Sequence, residues 1–402
     1  MFASSGLKTS LKDVADACGI QPGSLYHHFD SKEAIIIELV QRYQEDLDRI
    51  AKEAVQTLDM DSPAWPAWEE RIVSFGRAIA SSSIRHRAAL LLTLYEPPTV
   101  LGRELAQLAR QTPSAIHAAM VEMLEAARAG GGIRAAVDVN LLAERLCQSM
   151  LHIGVGVSYL SPTGDQVPEL RLKIFLHGIA SRSPSKRALD QSEALRSARR
   201  VIETWAEDVE DAEDGDRTEH LRAVARSQFG KRGYEATTIR DIAAAAGLST
   251  GTVYRLFGSK DELLISIMRS YTDKVSNAWD VVLRSTSSPL EKLDALMWVN
   301  INVIDRFSDE FKIQLAWLRQ SPPSTPNLSS TFLAQLKQVK ALLSAGAQAG
   351  EIRLPGVASA DVRARCVFET IWMPENIVRS AGRPGAQRLA RETVLSGAAA
   401  RS

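Results

Sequence analysis

TTIRDIAAAAGLSTGTVYRLFGSKDE, at residues 237–262, reads as three short helices separated by two tight breaks. Thr238 and Asp241 have the spacing of a capping box, in which two side chains satisfy amide groups at a helix start. Gly247 can end that helix, because glycine adopts the left-handed conformation without strain. Ser249 then begins the next helix. Two helices joined by a turn that contains glycine form a helix-turn-helix, whose second helix lies in the major groove of DNA.

The second of these helices has one polar face, because its periodicity buries Val253 and Phe257 on the other face. Hydroxyl, phenol and guanidinium groups donate hydrogen bonds to phosphates and base edges. Lys260 follows Ser259, the predicted cap of a third helix, where it can join backbone amides in binding a phosphate. A hairpin packed for stability alone does not need these donors. The predicted DNA-binding residues of this stretch are Thr238, Ser249, Thr250, Thr252, Tyr254, Arg255 and Lys260.

An internal repeat reproduces this stretch near the start of the chain. Residues 9–34, TSLKDVADACGIQPGSLYHHFDSKEA, align with residues 237–262 at a constant offset of 228, with ten identities in 26 positions. Average residue usage would give about two identities by chance. The sequence therefore predicts two DNA-reading units. The predicted DNA-binding residues of the first unit are Gln21, Ser24, Tyr26, His27 and Lys32.

The two predicted recognition helices share some residues and differ in others. Tyr26 and Tyr254 are equivalent, as are Lys32 and Lys260, and these side chains suit phosphate contacts that set the register on DNA. Differences that predict divergent base preference lie at three pairs of positions: Gln21 and Ser249, Pro22 and Thr250, and His27 and Arg255.

These motifs resemble the DNA-binding domain of TetR/AcrR-type transcriptional regulators. The matching residues are F229-G-K-R-G-Y234, T237-T-I-R-D-I-A243, A246-G247, G251-T-V-Y254, F257 and S259-K-D-E262, without gaps. Members of that family are all-α homodimers that read two-fold symmetric operators. Their helical ligand-binding domains hold an apolar cavity, and most members are repressors. The resemblance therefore implies a double-stranded DNA operator and a small apolar effector, without assigning pocket residues.

A weaker sequence similarity extends the repeat beyond the DNA-reading units. Gly132-Ile133-Arg134, followed by Val139 to Cys147, matches Glu351-Ile352-Arg353, followed by Ala358 to Cys366, at an offset of 219. We therefore predict two complete regulator subunits fused head to tail. No convincing strand-like alternation is present, which indicates an all-α class. The predicted domains are a first DNA-binding domain (1–48), a first ligand-binding and dimerisation domain (49–181), a charged linker (182–215), a second DNA-binding domain (216–276) and a second ligand-binding domain (277–402).

The first unit matches only the end of the family's first helix. In the second unit that helix begins near a predicted cap at Asp216, with Glu219 as its reciprocal partner, and buries Leu221, Val224, Ala225 and Phe229. Two explanations are open for the first unit: its start codon lies upstream, or it is a degraded domain with a partly uncovered core.

Charge marks the junction between the copies. Residues 182–200 are rich in Ser and Arg, whereas residues 201–216 hold eight acids and no base. Such runs predict a solvated linker or an exposed helix. An alternative hypothesis is that Lys186, Arg187, Arg199 and Arg200 contact DNA phosphates while the acidic part keeps the linker away from the duplex.

Composition limits the other classes of function. The chain has 402 residues, 45% hydrophobic residues and a formal net charge of zero, so DNA affinity has to come from local patches. Three widely spaced cysteines and the lack of a signal segment or a membrane-length apolar run predict a reduced, cytoplasmic protein without membrane contact. No phosphate loop, nucleophile motif or ligand spacing predicts an enzyme, a metal site or a cofactor.

The sequence is compatible with three functional hypotheses. In the first, one chain forms a pseudo-dimer that reads an imperfect palindrome. In the second, the protein is a homodimer of fused chains, with four readers or with only the second copy binding DNA and the first copy serving as a sensing or dimerising module. In the third, the protein binds ligands and no longer reads DNA. Repression is favoured over activation in the first two.

Overall fold

The computed structural model describes residues 9–56, 64–95, 102–109, 113–156, 166–210, 217–234, 236–320 and 327–400. Within these ranges the backbone forms helices, and strand pairing is limited to two isolated bridges. The prediction of an all-α fold is confirmed. None of the helices in the described ranges is both long enough and apolar enough to cross a membrane.

The first half of the chain contains the helices α1 to α10. Their bounds are α1 Leu11–Cys18, α2 Pro22–Tyr26, α3 Lys32–Gln56, α4 Trp65–Arg85, α5 Arg87–Tyr95, α6 Arg103–Ala109, α7 Ser114–Ala129, α8 Val139–Leu151, α9 Ile153–Gly156 and α10 Gln166–His177. Two junction helices follow, α11 Lys186–Gln191 and α12 Glu193–Glu210.

The second half contains the helices α13 to α21 and ends in a π-helical turn. Their bounds are α13 Arg217–Arg232, α14 Ile239–Ala245, α15 Thr250–Phe257, α16 Lys260–Arg284, α17 Pro289–Arg306, α18 Ser308–Gln320, α19 Asn327–Gln348, α20 Ala360–Thr370 and α21 Glu375–Ala390, followed by the turn Arg391–Leu395.

The long helices α3 and α16 connect each DNA-reading unit to the helices behind it. Both are 25 residues long, and their buried apolar residues repeat at the offset of 228. Those buried pairs are Ile36 and Leu264, Val40 and Met268, Tyr43 and Tyr271, and Leu47 and Val275. Spacings of three and four residues place each set on one helix face, which packs into the core.

The junction between the halves differs from its prediction. Helix α12 packs against α16 and α17, and five of its apolar residues are buried: Ala194, Leu195, Ala198, Ile202 and Trp205. The ring of Trp205 meets Phe307 edge-on, with centroids 5.1 Å apart, and Arg199 lies over the ring of Trp298. The expectation of a solvated linker is therefore wrong for this helix, because its apolar stripe outweighs its charge.

We expect Ile202→Val to lower the free energy of unfolding by about 0.5–1.5 kcal/mol, because it removes one buried methylene group. Glu203→Ala, on the exposed side of the same helix, is the matched control and should change stability by less than about 0.5 kcal/mol. Urea denaturation measures both. Equal, negligible effects would mean that α12 is not docked in solution.

The two halves meet through backbone hydrogen bonds that repeat with the halves exchanged. Each bond from the first half to the second has a counterpart, displaced by 219 residues, that runs the other way. The pairs are Arg134 N to Ala398 O and Arg353 N to Ile179 O, Ala400 N to Gly132 O and Ser181 N to Glu351 O, and Ala398 N to Phe175 O and Ile179 N to Val394 O, all between 2.7 and 3.0 Å. The isolated bridges Ile133 to Ala399 and Ala180 to Ile352 obey the same exchange.

Gly178 and Gly397 lie where the two crossing segments approach most closely. Both have positive φ angles, 70° and 82°, and they are equivalent at the offset of 219. A Cβ atom on Gly178 would lie 2.3 Å from the carbonyl oxygen of Leu395, and one on Gly397 would lie 2.2 Å from the carbonyl carbon of His177. Only glycine fits both the conformation and the space at this crossing.

Candidate DNA-binding site

The second DNA-reading unit is built from α13 to α15 and the start of α16. Helix α14 begins with the predicted capping box: the amide of Asp241 donates to Thr238 Oγ1 at 3.1 Å, and the amide of Thr238 donates to Asp241 Oδ2 at 2.9 Å. These hydrogen bonds from Thr238 hold the pKa of Asp241 below its usual range. The Thr238 hydroxyl also donates to Asp241, so its hydrogen bonds are made within the helix cap. A contact of Thr238 with DNA stays a prediction.

The recognition helix α15 divides its predicted residues into two groups. The Ser249 hydroxyl accepts a hydrogen bond from the amide of Thr252 at 3.1 Å, and it lies 3.0 Å from the Thr252 hydroxyl. This pair fixes the helix start. Thr250, Tyr254 and Arg255 are exposed, and 53% of Tyr254 is accessible to solvent. Val253 and Phe257 are buried, as predicted. Contacts of these three exposed side chains with DNA stay a prediction.

Lys260 has internal partners that the sequence did not indicate. Its Nζ donates to the carbonyl oxygens of Tyr234 and Thr237, both at 2.9 Å, and lies 4.1 Å from the centre of the Tyr234 ring. The ammonium group therefore joins the start of α16 to the segment after α13. A direct phosphate contact stays a prediction, and the observed contacts make Lys260 a residue that positions the unit.

The first unit repeats the capping box of the second unit, but its recognition helix is shorter and lacks a side-chain cap. Ser10 and Asp13 form a capping box at the start of α1, equivalent to Thr238 and Asp241. Helix α2 has five residues where α15 has eight, and Gln21 stands at its N-cap without a side-chain hydrogen bond. His27 is the residue after the end of α2, whereas its equivalent Arg255 lies inside α15.

The predicted side chains of the first unit are mostly on its surface. Gln21, Ser24, Tyr26 and His27 are exposed, and 57% of Tyr26 is accessible. Lys32 is half-buried in the first turn of α3. The structure therefore presents Tyr26 and Tyr254 alike, whereas His27 and Arg255 occupy different positions relative to their helices.

One basic position was missed in both units. Lys12 and Arg240 are equivalent at the offset of 228, and both are exposed in the first turn of the helix before the recognition helix. A cation at that place can contact the DNA backbone that flanks the groove. The repeat contained a signal for this position, because Lys12 and Arg240 differ in residue type but carry the same positive charge.

Helix α13 covers the second unit, and the predicted Leu221, Ala225 and Phe229 are buried, while Val224 is half-buried. The predicted cap at Asp216 lies outside the described residues. Thr237, also buried, donates through Oγ1 to the carbonyl oxygen of Gly233 at 2.8 Å. In the first unit, Thr9 is equally buried, but its hydroxyl has no hydrogen-bond partner within the described ranges. Residues 1–6, the equivalents of 229–234, lie outside those ranges.

The same helix joins the DNA-reading unit to the helices behind it. Arg226 of α13 forms an ion pair with Glu310 of α18, with 3.2 Å between the nitrogen and the oxygen. Burial raises the pKa of Glu310, and Arg226 opposes that shift. A cavity of about 40 Å³ lies beside the pair and is lined in part by Arg222, Tyr271 and Phe307. No cluster of metal-binding side chains occurs in the part of the chain that the structure describes.

A helical pair whose capped second helix carries exposed hydrogen-bond donors is typical of a helix-turn-helix DNA-binding protein. The family model "Bacterial regulatory proteins, tetR family" matches residues 1–39 and 221–267. The transcriptional repressor KstR2 of Rhodococcus jostii is 31% identical over 186 residues, which are 45% of this chain and 86% of that repressor. KstR2 of Mycobacterium tuberculosis is 28% identical over 174 residues, which are 43% of this chain and 86% of the relative.

A solved structure of the ketosteroid transcriptional regulator KstR2 of Mycobacterium tuberculosis is also similar, with 26% identity and a TM-score of 0.39. That similarity covers 45% of this chain and 92% of the solved chain. On the sequence matches, the chain belongs to the TetR family of bacterial regulatory proteins. It is a DNA-binding transcriptional regulator.

Proposed function

We propose that this chain is a cytoplasmic repressor made of two fused TetR-type subunits, which pair within one polypeptide and read an imperfect palindrome. A small apolar effector releases it from DNA. The exchanged hydrogen bonds between residues 132–181 and residues 351–400 carry this proposal. In a two-fold symmetric dimer, a contact from residue i to residue j is accompanied by one from j to i. Here that reciprocity occurs inside one chain, between residues displaced by 219.

The lengths of the matched relatives support the same organisation. The KstR2 relatives from Rhodococcus jostii and Mycobacterium tuberculosis are each matched over 86% of their length by less than half of this chain. The family model matches twice, once near the start of each half. The proposed domains are the DNA-binding domains 1–48 and 216–276, the helical domains 49–181 and 277–402, and a junction at 182–215 that contains the docked helix α12.

The proposed DNA interface consists of residues from both units. The side chains proposed to face base edges are the exposed ones of α15 in the second unit. In the first unit they are the exposed side chains of α2 and that of His27. Four other residues stabilise the second unit and are proposed to contact the DNA backbone: Thr238, Ser249, Thr252 and Lys260. Lys12 and Arg240 add charge beside the groove. Because Arg255 and His27 differ in chemistry and position, the two half-sites are expected to differ in sequence.

Effector control is proposed to pass through the contact between α13 and α18. Arg226 and Glu310 join the DNA-reading unit to the helical domain, so a shift of α18 would move the recognition helix. An effector that prefers the displaced form weakens DNA binding by the same factor by which DNA weakens effector binding, typically about 5–150-fold. The cavity beside the ion pair, of about 40 Å³, holds no more than a few atoms, so a larger effector would bind at this place only if the cavity opened further.

One observation favours a second candidate function. Helix α2 is short and lacks a side-chain cap, so the first unit is the weaker reader. In this alternative only the second copy binds DNA, the protein acts as a homodimer of fused chains, and the first copy senses the ligand or supports dimerisation.

Footprinting of the purified protein on the DNA upstream of its own gene, with the mass of the complex measured alongside, separates the two candidates. We expect an imperfect palindrome protected by one chain, with one half-site altered by Gln21→Ala and Ser24→Ala. A symmetric site that is bound by two chains and is insensitive to those substitutions would instead establish the homodimer with a single active reader.

A further inference from the structure

The surface by which the two halves meet, here called the seam, is asymmetric in its side chains although its backbone contacts are reciprocal. The seam is formed mainly by α8 and α10 of the first half and by α20, α21 and the π-helical turn of the second, and α5 also contacts α18. Arginines of the first half donate across it to acceptors of the second half. These contacts are Arg145 to Thr393 and Thr370, Arg134 to the carbonyl oxygen of Glu392, and Arg171 to Glu369.

Arg145 and Arg171 are the buried members of this set. Arg145 is 1% exposed; one of its terminal nitrogens donates to Thr393 Oγ1 and the other to the carbonyl oxygen of Thr370, both at 2.7 Å. Its guanidinium group also lies over the ring of Phe175, 4.8 Å from the centroid. Arg171 is 4% exposed, forms an ion pair with Glu369 and donates to the carbonyl oxygen of Ser149. Each buried cation therefore depends on an acceptor from the other half.

The repeat shows that neither half carries both sides of these contacts. At the offset of 219, Ile174 stands where Thr393 stands, and Ala390 stands where Arg171 stands. Helix α8 aligns with α20 at 219, or at 221 when the caps Asp138 and Ser359 are superposed. In either alignment the equivalent of Arg145 is uncharged, being Ala364 or Cys366, and so is that of Glu369, being Met150 or Gln148.

We propose that the seam accepts only a first half paired with a second half, and that Arg145 and Arg171 are the residues that impose this choice. The inference rests on the proposed fusion of two subunits and adds a rule of pairing to it. Two first halves would bury both Arg145 side chains against Ile174, without the Thr393 hydroxyl, and both Arg171 side chains without Glu369. A buried charge that loses its partner is strongly destabilising.

Selection against like pairs has a direct consequence for assembly. Partner choice is commonly enforced by leaving the wrong pair with unpaired buried charges. Because the correct partner is tethered in the same chain, its effective concentration is high, and the chain closes on itself. Exchange between chains can join a first half only to the second half of another chain, so the two different DNA-reading units always come together.

The test uses the full chain with a protease site inserted between Arg182 and Lys186, before α11, and cut after folding, so that the docked helix α12 stays with the second half on which it packs. Light and isotopically heavy nicked proteins are mixed, exchanged in intermediate urea, returned to buffer and weighed by native mass spectrometry without DNA. Free exchange without selection would make about half of all pairs like with like. In the wild-type protein we expect fewer than about one pair in twenty to be a like pair. In the double variant Arg145→Met with Arg171→Met, we expect the fraction of pairs made of two first halves to rise at least about fivefold.

Arg49→Met is the matched control, because Arg49 is half-exposed on α3 and pairs with Asp46 and Glu53 of its own helix. It should leave the wild-type pattern unchanged. If about 50% of all pairs in the wild-type protein were like pairs, the pairing rule would be overturned, even if the double variant did not refold. A wild-type pattern in a double variant that has refolded would remove the two arginines as its cause. Complete separation of the cut halves would instead contradict the proposed fusion of paired subunits, independently of any DNA-binding result.

Discussion

Asp294→Ala is expected to lower the free energy of unfolding by about 3–5 kcal/mol, because it leaves a largely buried arginine without its main partner. Asp294 is fully buried in α17, and both of its oxygens accept hydrogen bonds from Arg391, each at 2.7 Å. A third nitrogen of Arg391 donates to Asp190 of α11, also at 2.7 Å. Arg391 thus joins the junction, the second helical domain and the C-terminal turn.

Urea denaturation at neutral pH measures this effect, and Asp361→Ala provides the matched control. Asp361 also pairs with a cation, Lys340, but its side chain is 82% exposed. Exposed pairs contribute about 0–1 kcal/mol, so the control should change little. Similar small losses for both substitutions would mean that the Asp294 pair is solvated. The double substitution Asp294→Leu with Arg391→Leu should recover much of the loss, because no unpaired charge is left buried.

The DNA-reading units were predictable from the sequence because their determinants are local. Thr238 and Asp241 each accept a hydrogen bond from the other's backbone amide, and Ser259 accepts one from the amide of Glu262, so the observed bonds follow the predicted spacing of three residues. The repeat extended the prediction to residues 9–34, where Ser10 and Asp13 form the equivalent box. Short-range rules of capping and periodicity were sufficient for these elements.

The docking of the junction helix was not predicted, because charge was given more weight than the spacing of its apolar residues. Ala194, Leu195, Ala198, Ile202 and Trp205 follow a helical period, and that pattern was present among the acids and arginines of residues 182–215. An amphipathic helix with a charged outer face still docks if its apolar stripe finds a surface. Here the surface is formed by α16 and α17, from the following half of the chain.

The roles of Lys260 and Arg145 could not be read from the sequence, for a different reason. Lys260 bonds to carbonyl oxygens 23 and 26 residues away, and Arg145 bonds to Thr393 across 248 residues. Basic residues are usually exposed. Lys260 was therefore expected to contact a phosphate at the surface, and Arg145 was not singled out. Only the tertiary contacts show that Lys260 holds the second unit together and that Arg145 lies in the seam.

Arg255→Ala is expected to weaken operator binding by about 10–100-fold, because a good arginine contact to a base edge contributes about 1–3 kcal/mol. Arg255 is exposed near the end of α15, beside Tyr254, where few other cations are available to the recognition helix. Quantitative footprinting at fixed salt measures the change. The matched control is His27→Ala, at the equivalent position of the first unit, which should alter only the other half-site and do so more weakly. Unchanged affinity in Arg255→Ala would exclude Arg255 from the interface.

The salt dependence of the same variant separates two ways in which Arg255 can act. If its guanidinium group contacts only a phosphate, Arg255→Ala weakens all DNA sequences alike, the salt slope falls by about 1, and Arg255→Lys restores most of the binding. If it reads a base, the loss is confined to the correct half-site and lysine restores little, because lysine lacks the planar pair of donors. Five-residue α2 ends before His27, whereas α15 extends beyond Arg255. We therefore expect base reading by Arg255 and a weaker, backbone-directed role for His27.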